Sequence, residues 1–208
     1  MHKKKEAYDS KKAKGDNHSS HYCIKGFVLA FQIMDLLLMH VHQKLYLKPD
    51  LCMHRFTVID LSFTDSLMEP VDIASKIRSG GIEMEGGKYE EYKPAWMDVD
   101  FVFGPINIKQ HWLMLAIDLE RCTIFVFDSM PNYIGSDILD GYLKLVARAI
   151  PLMLISVGFD KQHKTVKYGQ WEVKRSKVTL QEGKSLDCGT FCAKFVENCV
   201  TGANRADT

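Results

Sequence analysis

The chain has 208 residues and a formal net charge of +1, from 27 Lys and Arg against 26 Asp and Glu. Hydrophobic residues make up 46% and charged residues 25%, the composition of a globular chain with a sizeable core. The charge balance excludes the strong basic excess of a specific nucleic-acid binder, and the ordinary Gly and Pro content excludes wholesale disorder and collagen-like repeats.

The first 20 residues are polar, with six lysines between Lys3 and Lys14 against Glu6, Asp9 and Asp16. Residues 1–22 read as a solvated, disordered tail ahead of one domain over 23–208. Such a lysine run suits nuclear import, so the expected intracellular compartment, nucleus or cytoplasm, leans to the nucleus. The most apolar stretch, Phe27 to Val41, is interrupted by Gln32, Asp35 and His40. It is shorter than the ~20 residues of a membrane span, and no small-x-small cleavage site follows it. No membrane association is therefore expected. The cysteines (Cys23, Cys52, Cys122, Cys188, Cys192 and Cys199) are scattered, and reduced thiols are expected.

Residues 24–46 predict a helix, with Phe27, Phe31, Met34, Leu38, Val41 and Leu45 on one face. His40 and His42 are two apart, point in different directions, and read as surface residues. A short strand is expected around Phe56 to Ile59, and a Gly-Gly-rich surface loop over 79–94. Phe101 to Ile108 predicts a strand broken at Gly104-Pro105. Residues 111–118 and 122–128 predict a hairpin turning at Asp118 to Arg121, with Cys122 in the core. A helix follows from Asp137 to Ile150, burying Ile138, Leu139, Tyr142, Leu145, Val146 and Ala149. Residues 171–179 predict a strand. A last helix starts near Asp187 with Phe191, Cys192, Phe195, Val196 and Cys199 on one face. The class is α+β.

Three residues gain chemical meaning from these placements. A two-residue turn at Leu119-Glu120, or a four-residue loop between 117 and 122 in the same register, puts His111 and Asp128 directly opposite each other on one face, within reach of an imidazole–carboxylate hydrogen bond. Leu-Glu is a poor tight-turn pair, and a one-residue slip would separate the two onto opposite faces. Cys188 stands at the start of the last helix, where unpaired N–H groups and the positive dipole end favour a thiolate. Gly189 leaves room beside the sulfur for a substrate backbone. A thiol, a base and an acid to orient the base form a triad. Each piece alone has a plainer reading: a structural His, a turn-capping Asp, a small core Cys.

Together, His111-Trp112 opening a strand, Phe127-Asp128-Ser129 ending the next, and Asp187-Cys188-Gly189-Thr190-Phe191 opening a helix resemble the ubiquitin-like-protein-specific (SUMO) cysteine proteases. The looser sequence around them is similar to plant members associated with transposable elements. Pro105-Ile106-Asn107-Ile108 and an early helical Met34-Asp35 fit as well, so the resemblance runs from about residue 30 to 201. It implies a papain-like α+β fold. It makes Cys188 the nucleophile, His111 the base and later the acid, and Asp128 the residue that orients His111. Trp112 would wall a tunnel for the flat Gly-Gly tail of a ubiquitin-like modifier, SUMO or similar. The implied reaction is hydrolysis after that tail through a thioester, by a monomer needing no cofactor or metal.

Two positions depart from the family pattern. Where members carry an oxyanion-donating glutamine six residues before the nucleophile, this chain has Glu182, with Gln181 one further back. Gln181 is the expected oxyanion donor, such a donor being worth about 3 kcal/mol. Members also carry a tryptophan ahead of the early helix as the other tunnel wall, whereas the first tryptophan here is Trp96; Tyr22, Phe27 or Phe31 are the substitutes. These departures motivate an alternative, a catalytically inactive relative that binds the modifier. An acyltransferase using the same triad order is a weaker alternative, since nothing suggests an acetyl-coenzyme A site. Cys188 and Cys192, four apart, lack the further paired ligands a metal site requires.

Overall fold

The computed structural model describes residues 20–59, 96–156, 158–177 and 187–202, with side chains of the first helix from residue 33 onward. The lysine-rich segment, the loop expected at 79–94, and Gln181 and Glu182 lie outside the described residues. Helix α1 runs Ser20–Tyr46 and contains Met34-Asp35. The chain divides into two compact units at Leu36/Leu37, and the second holds the sheet and every later helix.

Five strands form one sheet in sequence order: β1 Phe56–Val58, β2 Phe101–Ile108, β3 His111–Asp118, β4 Thr123–Phe127 and β5 Glu172–Arg175. The β2–β3 and β3–β4 pairings are antiparallel, while β1 and β5 join the two edges in parallel. Every residue of β3 is buried, as befits the central strand. Helices α2 (Ser136–Ser156), α3 (Phe159–Gln162) and α4 (Cys188–Thr201), with short 3-10 turns at Pro49–Leu51 and Trp96–Asp98, complete the described elements.

Strand β2 does not break at Gly104-Pro105. Gly104 pairs with Leu115 and Pro105 with Met114. Alternation from the β2–β3 turn directs the backbone nitrogen of position 105 away from β3. On that side the last pair of β1 is Val58 with Phe103, and Ile59 still donates its N–H to Phe103 C=O at 2.8 Å. The missing proline N–H forgoes only the next bond of that parallel ladder, to Ile59 C=O, at the point where the pairing ends.

Helix α2 also runs further than expected, continuing through Pro151 to Ser156. A proline inside a helix orphans the carbonyl four residues earlier. That carbonyl, Ala147 C=O, accepts the backbone N–H of Trp171 at 3.0 Å. The segment leading into β5 thus fills the gap that would otherwise have ended the helix. The buried stripe of α2 is Leu139, Leu143, Val146, Ala147, Ile150 and Leu154, packed on Leu113, Leu115, Ile124 and Val126 of the sheet. Of the expected face, Leu139, Val146 and Ala149 are buried and Tyr142 partly so, while Ile138 and Leu145 are exposed and Leu143 and Ile150 are buried in addition.

Helix α4 carries the predicted face. Cys192, Phe195 and Val196 are buried, and Phe195 stacks on Phe127 of β4 with ring centroids 5.5 Å apart. The helix ends at Gly202 in the left-handed conformation (φ 70°), a turn glycine makes without steric cost. His42 departs from its expected surface placement. It is 1% exposed and meets the Phe56 ring edge-on, whereas His40 is exposed. Cys122 lies in the core as expected, its sulfur accepting the Lys167 N–H at 3.3 Å.

Candidate active site

The site is assembled at one end of the central strands. His111 is the first residue of β3, delivered by a two-residue turn at Lys109-Gln110. Both turn residues have positive φ, 51° and 66°, as a primed hairpin turn requires. Neither is the Asn or Gly that favours this conformation. The turn is anchored instead by the Asn107 side-chain oxygen, which accepts the Gln110 N–H at 3.2 Å.

The β3–β4 hairpin differs from expectation by two residues. Asp118 pairs with Thr123 and Met114 with Phe127, leaving a four-residue loop at 119–122, whereas both expected turns, the two-residue one at Leu119-Glu120 and the four-residue one between 117 and 122, share the register that sets 118 against 121. The loop is built by Asp118, whose carboxylate accepts the Arg121 N–H at 2.8 Å and pairs with its guanidinium at 3.0 Å. An even shift preserves the alternation of faces. His111 and Asp128 therefore stay on the same side, set diagonally rather than directly opposite.

The expected bond forms across that diagonal: His111 Nε2 and Asp128 Oδ1 are 2.7 Å apart. A carboxylate can only accept, so Nε2 carries the hydrogen. The same Oδ1 accepts the Met130 N–H at 2.8 Å, folding the chain after β4 back over the site. Tyr133, on that turn, brings its ring to 5.2 Å from the His111 ring. His111 is fully buried.

Cys188 is the first residue of α4, buried, with Asp187 at the N-cap position. The first backbone N–H groups of a helix have no intrahelical partner. Here the first turn closes with Phe191 N–H donating to Asp187 C=O at 3.1 Å. The thiol therefore sits on the first turn of the helix, at the positive end of its dipole. Cys188 is close enough to the imidazole of His111 to raise its pKa. With Nε2 taken by Asp128, Nδ1 is the nitrogen left to address the sulfur, and it is buried and makes no hydrogen bond.

The two neighbours set the state of His111. Removal from water is the largest influence and lowers its pKa. Hydrogen bonds to Asp128 and Cys188, with their charges, outweigh it and raise the imidazole from 6.5 to about 9. The next thiol along the helix behaves differently. Burial, reinforced by the charges of Cys188 and Asp128, pushes Cys192 well above the usual thiol range. Cys199 is pushed up to about 12 by burial.

Trp112 follows His111 on β3 and is 7% exposed, so it could offer a ligand no more than an edge. Gln181, the expected oxyanion donor, lies outside the described residues. Sequence reasoning missed Tyr133 and the Met130 amide. The only signal for them was the turn chemistry of Pro131-Asn132 shortly after Asp128. Among the described residues, no group of three or more His, Cys, Asp and Glu could hold a metal ion, and no helix is long and apolar enough to cross a membrane.

The chain is similar to known proteins in sequence and in fold. The model of the Ulp1 protease family, C-terminal catalytic domain, matches residues 28–207. A protein of Arabidopsis thaliana named as a ubiquitin-like-specific protease 1B is 24% identical over 101 residues, 49% of this chain and 27% of its own. Deubiquitinase and deneddylase Dub1 of Chlamydia trachomatis serovar B is 30% identical over 86 residues, 41% of this chain and 19% of its own. The matched segments therefore span no more than 27% of either relative. Among solved structures, SUMO protease Ulp1 with its catalytic cysteine oxidized to a sulfinic acid superposes with a TM-score of 0.53 at 14% identity. That match covers 85% of this chain and 67% of the other. A de-sumoylating protease gives a TM-score of 0.50 at 19% identity, covering 80% and 60%. These likenesses bear out the expected fold class, the α+β architecture of a cysteine protease with a mixed sheet flanked by helices. A family match over most of the chain goes further: the protein belongs to the Ulp1 protease family and carries its C-terminal catalytic domain, that of a cysteine peptidase.

Proposed function

We propose that this chain is a thiol protease that cleaves after the Gly-Gly tail of a ubiquitin-like modifier, with SUMO the first candidate. The observation that carries the reading is the placement of His111 between Asp128 and Cys188, with the thiol at a helix N-terminus. Membership of the Ulp1 family supports it. The names of the relatives widen the choice of modifier to ubiquitin and NEDD8.

In this reading Cys188 passes its proton to His111 Nδ1 and its sulfur attacks the terminal glycine carbonyl. The developing oxyanion faces the first amides of α4, and Gln181 is the proposed side-chain donor. The C–N bond breaks as His111 returns the proton to the departing amine. Water, deprotonated by His111, then hydrolyses the thioester and frees Cys188. Asp128 holds the ring in the tautomer that leaves Nδ1 toward sulfur and stabilises its cationic form. Trp112 would border the path of the tail. The lysine-rich segment supports a nuclear location.

The test is covalent trapping. The protein is mixed with SUMO, NEDD8 and ubiquitin, each ending in a C-terminal vinyl sulfone, and intact mass is recorded. An adduct with one modifier, lost in Cys188→Ala, supports the assignment and selects the modifier. Glu182 motivates a second reading, an inactive relative that binds the modifier. Tight binding of one modifier with no adduct and no turnover would favour it and overturn the first.

A further inference from the structure

The Nε2–Asp128 bond is a single attachment, and one hydrogen bond leaves a ring free to rock about it. Nδ1 is buried and makes no hydrogen bond, so packing contacts are what hold the ring plane. The neighbour that supplies one is Tyr133, with ring centroids 5.2 Å apart and planes inclined by 50°. This tilted geometry is favourable for aromatic pairs. It also lies inside the ~6 Å at which an aromatic quadrupole acts on a cation.

Tyr133 is placed by the acid itself. Asp128 Oδ1 accepts both His111 Nε2 and the Met130 N–H, at 2.7 and 2.8 Å. The Tyr133 N–H then donates to Met130 C=O at 2.9 Å, closing a turn that brings its ring to the imidazole. Asp128, His111, Tyr133 and Met130 thus form a closed circuit. Tyr133 is 53% exposed while His111 is at 0%, so the tyrosine stands at the boundary between the imidazole and solvent.

We propose that Tyr133 is a positioning residue, fixing the plane of the His111 ring toward Cys188 and stabilising its cationic form. The proposal rests on the protease reading above for its kinetic consequence, but not for its structural one. The titratable groups facing the ring are Asp128 after β4, Cys188 at the start of α4 and the Tyr133 phenol on the turn, with Cys192 one turn along α4 from Cys188. None of these but Tyr133 is altered in the test.

The experiment is NMR titration of the imidazole of His111 in wild type, Tyr133→Phe and Tyr133→Ala, which needs no turnover. The half-exposed position makes both variants compatible with folding, to be checked by thermal unfolding. Tyr133→Ala should lower the His111 midpoint by about half a pH unit and broaden its Nε2–H signal. Tyr133→Phe, which keeps the ring and removes the phenol, should preserve both. An unchanged midpoint and sharp signal in the alanine variant would overturn the proposal whatever the enzyme does. In parallel, vinyl sulfone labelling of Cys188 should slow by about ten- to a hundredfold in Tyr133→Ala. The phenylalanine variant should label at the wild-type rate. Labelling absent from wild type itself counts against the protease reading, and the titration still decides the role of Tyr133.

Discussion

His111 and Asp128 are bonded at 2.7 Å although the β3–β4 ladder does not set them opposite each other. The ladder stops at Met114 with Phe127, and the carboxylate reaches diagonally to the imidazole. Asp128 serves the ring and the Met130 amide through one oxygen. Asp128→Asn would keep an acceptor for Met130 but lose the charge that favours the imidazolium. We expect modifier hydrolysis to fall about 10²- to 10⁴-fold with the fold intact, measured as kcat and by circular dichroism. Activity within a few-fold of wild type would remove Asp128 from the triad.

The pH dependence follows from the same group. Its native-state pKa lies above the unfolded one, near 9 against 6.5. The stability this contributes is fully present below pH 6.5 and lost as pH rises through about 9. If the imidazolium is part of the active pair, the alkaline limb of kcat/KM should fall near pH 9. Asp128→Asn removes a cause of the upward shift, so its alkaline limb should move to lower pH. A limb that stays in place in the variant would assign it to another group.

The nucleophile can be separated from its neighbour one turn along the helix. Cys192 is fully buried and held as a thiol by burial and nearby charge. Alkylation of the native protein by iodoacetamide at neutral pH should modify Cys188 before Cys192, read by peptide mass. Cys188→Ser should lose nearly all hydrolysis, because a hydroxyl is far less ionised than a thiol. Preferential labelling of Cys192 would contradict the arrangement.

The turn that delivers His111 holds two non-glycine residues at positive φ. Lys109→Asn with Gln110→Gly supplies the pair that this turn type favours. We expect a gain of about 1 kcal/mol and a rise in Tm of about 2–4 °C, by calorimetry. A fall in Tm would show that the native side chains contribute more than the backbone conformation costs.

An acid-side effect is expected far from the site. Hydrogen bonds from Lys194 and Lys44 outweigh desolvation and bring the Glu197 carboxyl from 4.5 down to about 2. Its stabilisation is present above pH 4.5 and lost as pH falls through about 2. These are partly exposed pairs, so Glu197→Gln should cost at most about 1 kcal/mol at pH 7. The difference from wild type should vanish near pH 2 in urea titrations.

The sequence by itself determined the kinds and order of the main elements and the motif residues they carry. Two strongly apolar runs flanking a turn marked β3 and β4, as burial on both faces of a sheet requires, and spacing of three and four marked α4, as burial of one helix face requires. Motif order then pointed to His111, Asp128 and Cys188, and chain-wide similarity to the family. Tertiary structure decided the rest. The hairpin register was set by the Asp118 carboxylate closing a four-residue loop, which local turn preference does not encode. Helix α2 outlasted Pro151 because Trp171, twenty residues later in the chain, meets the orphaned Ala147 carbonyl. The buried stripe of α2 followed from where the sheet lies, so Leu143 replaced Leu145. Tyr133 reached His111 only because Asp128 folds the following turn back, a contact between residues with no shared periodicity. Local patterns record which face a residue prefers, whereas the partners it meets depend on pairings between segments distant in sequence.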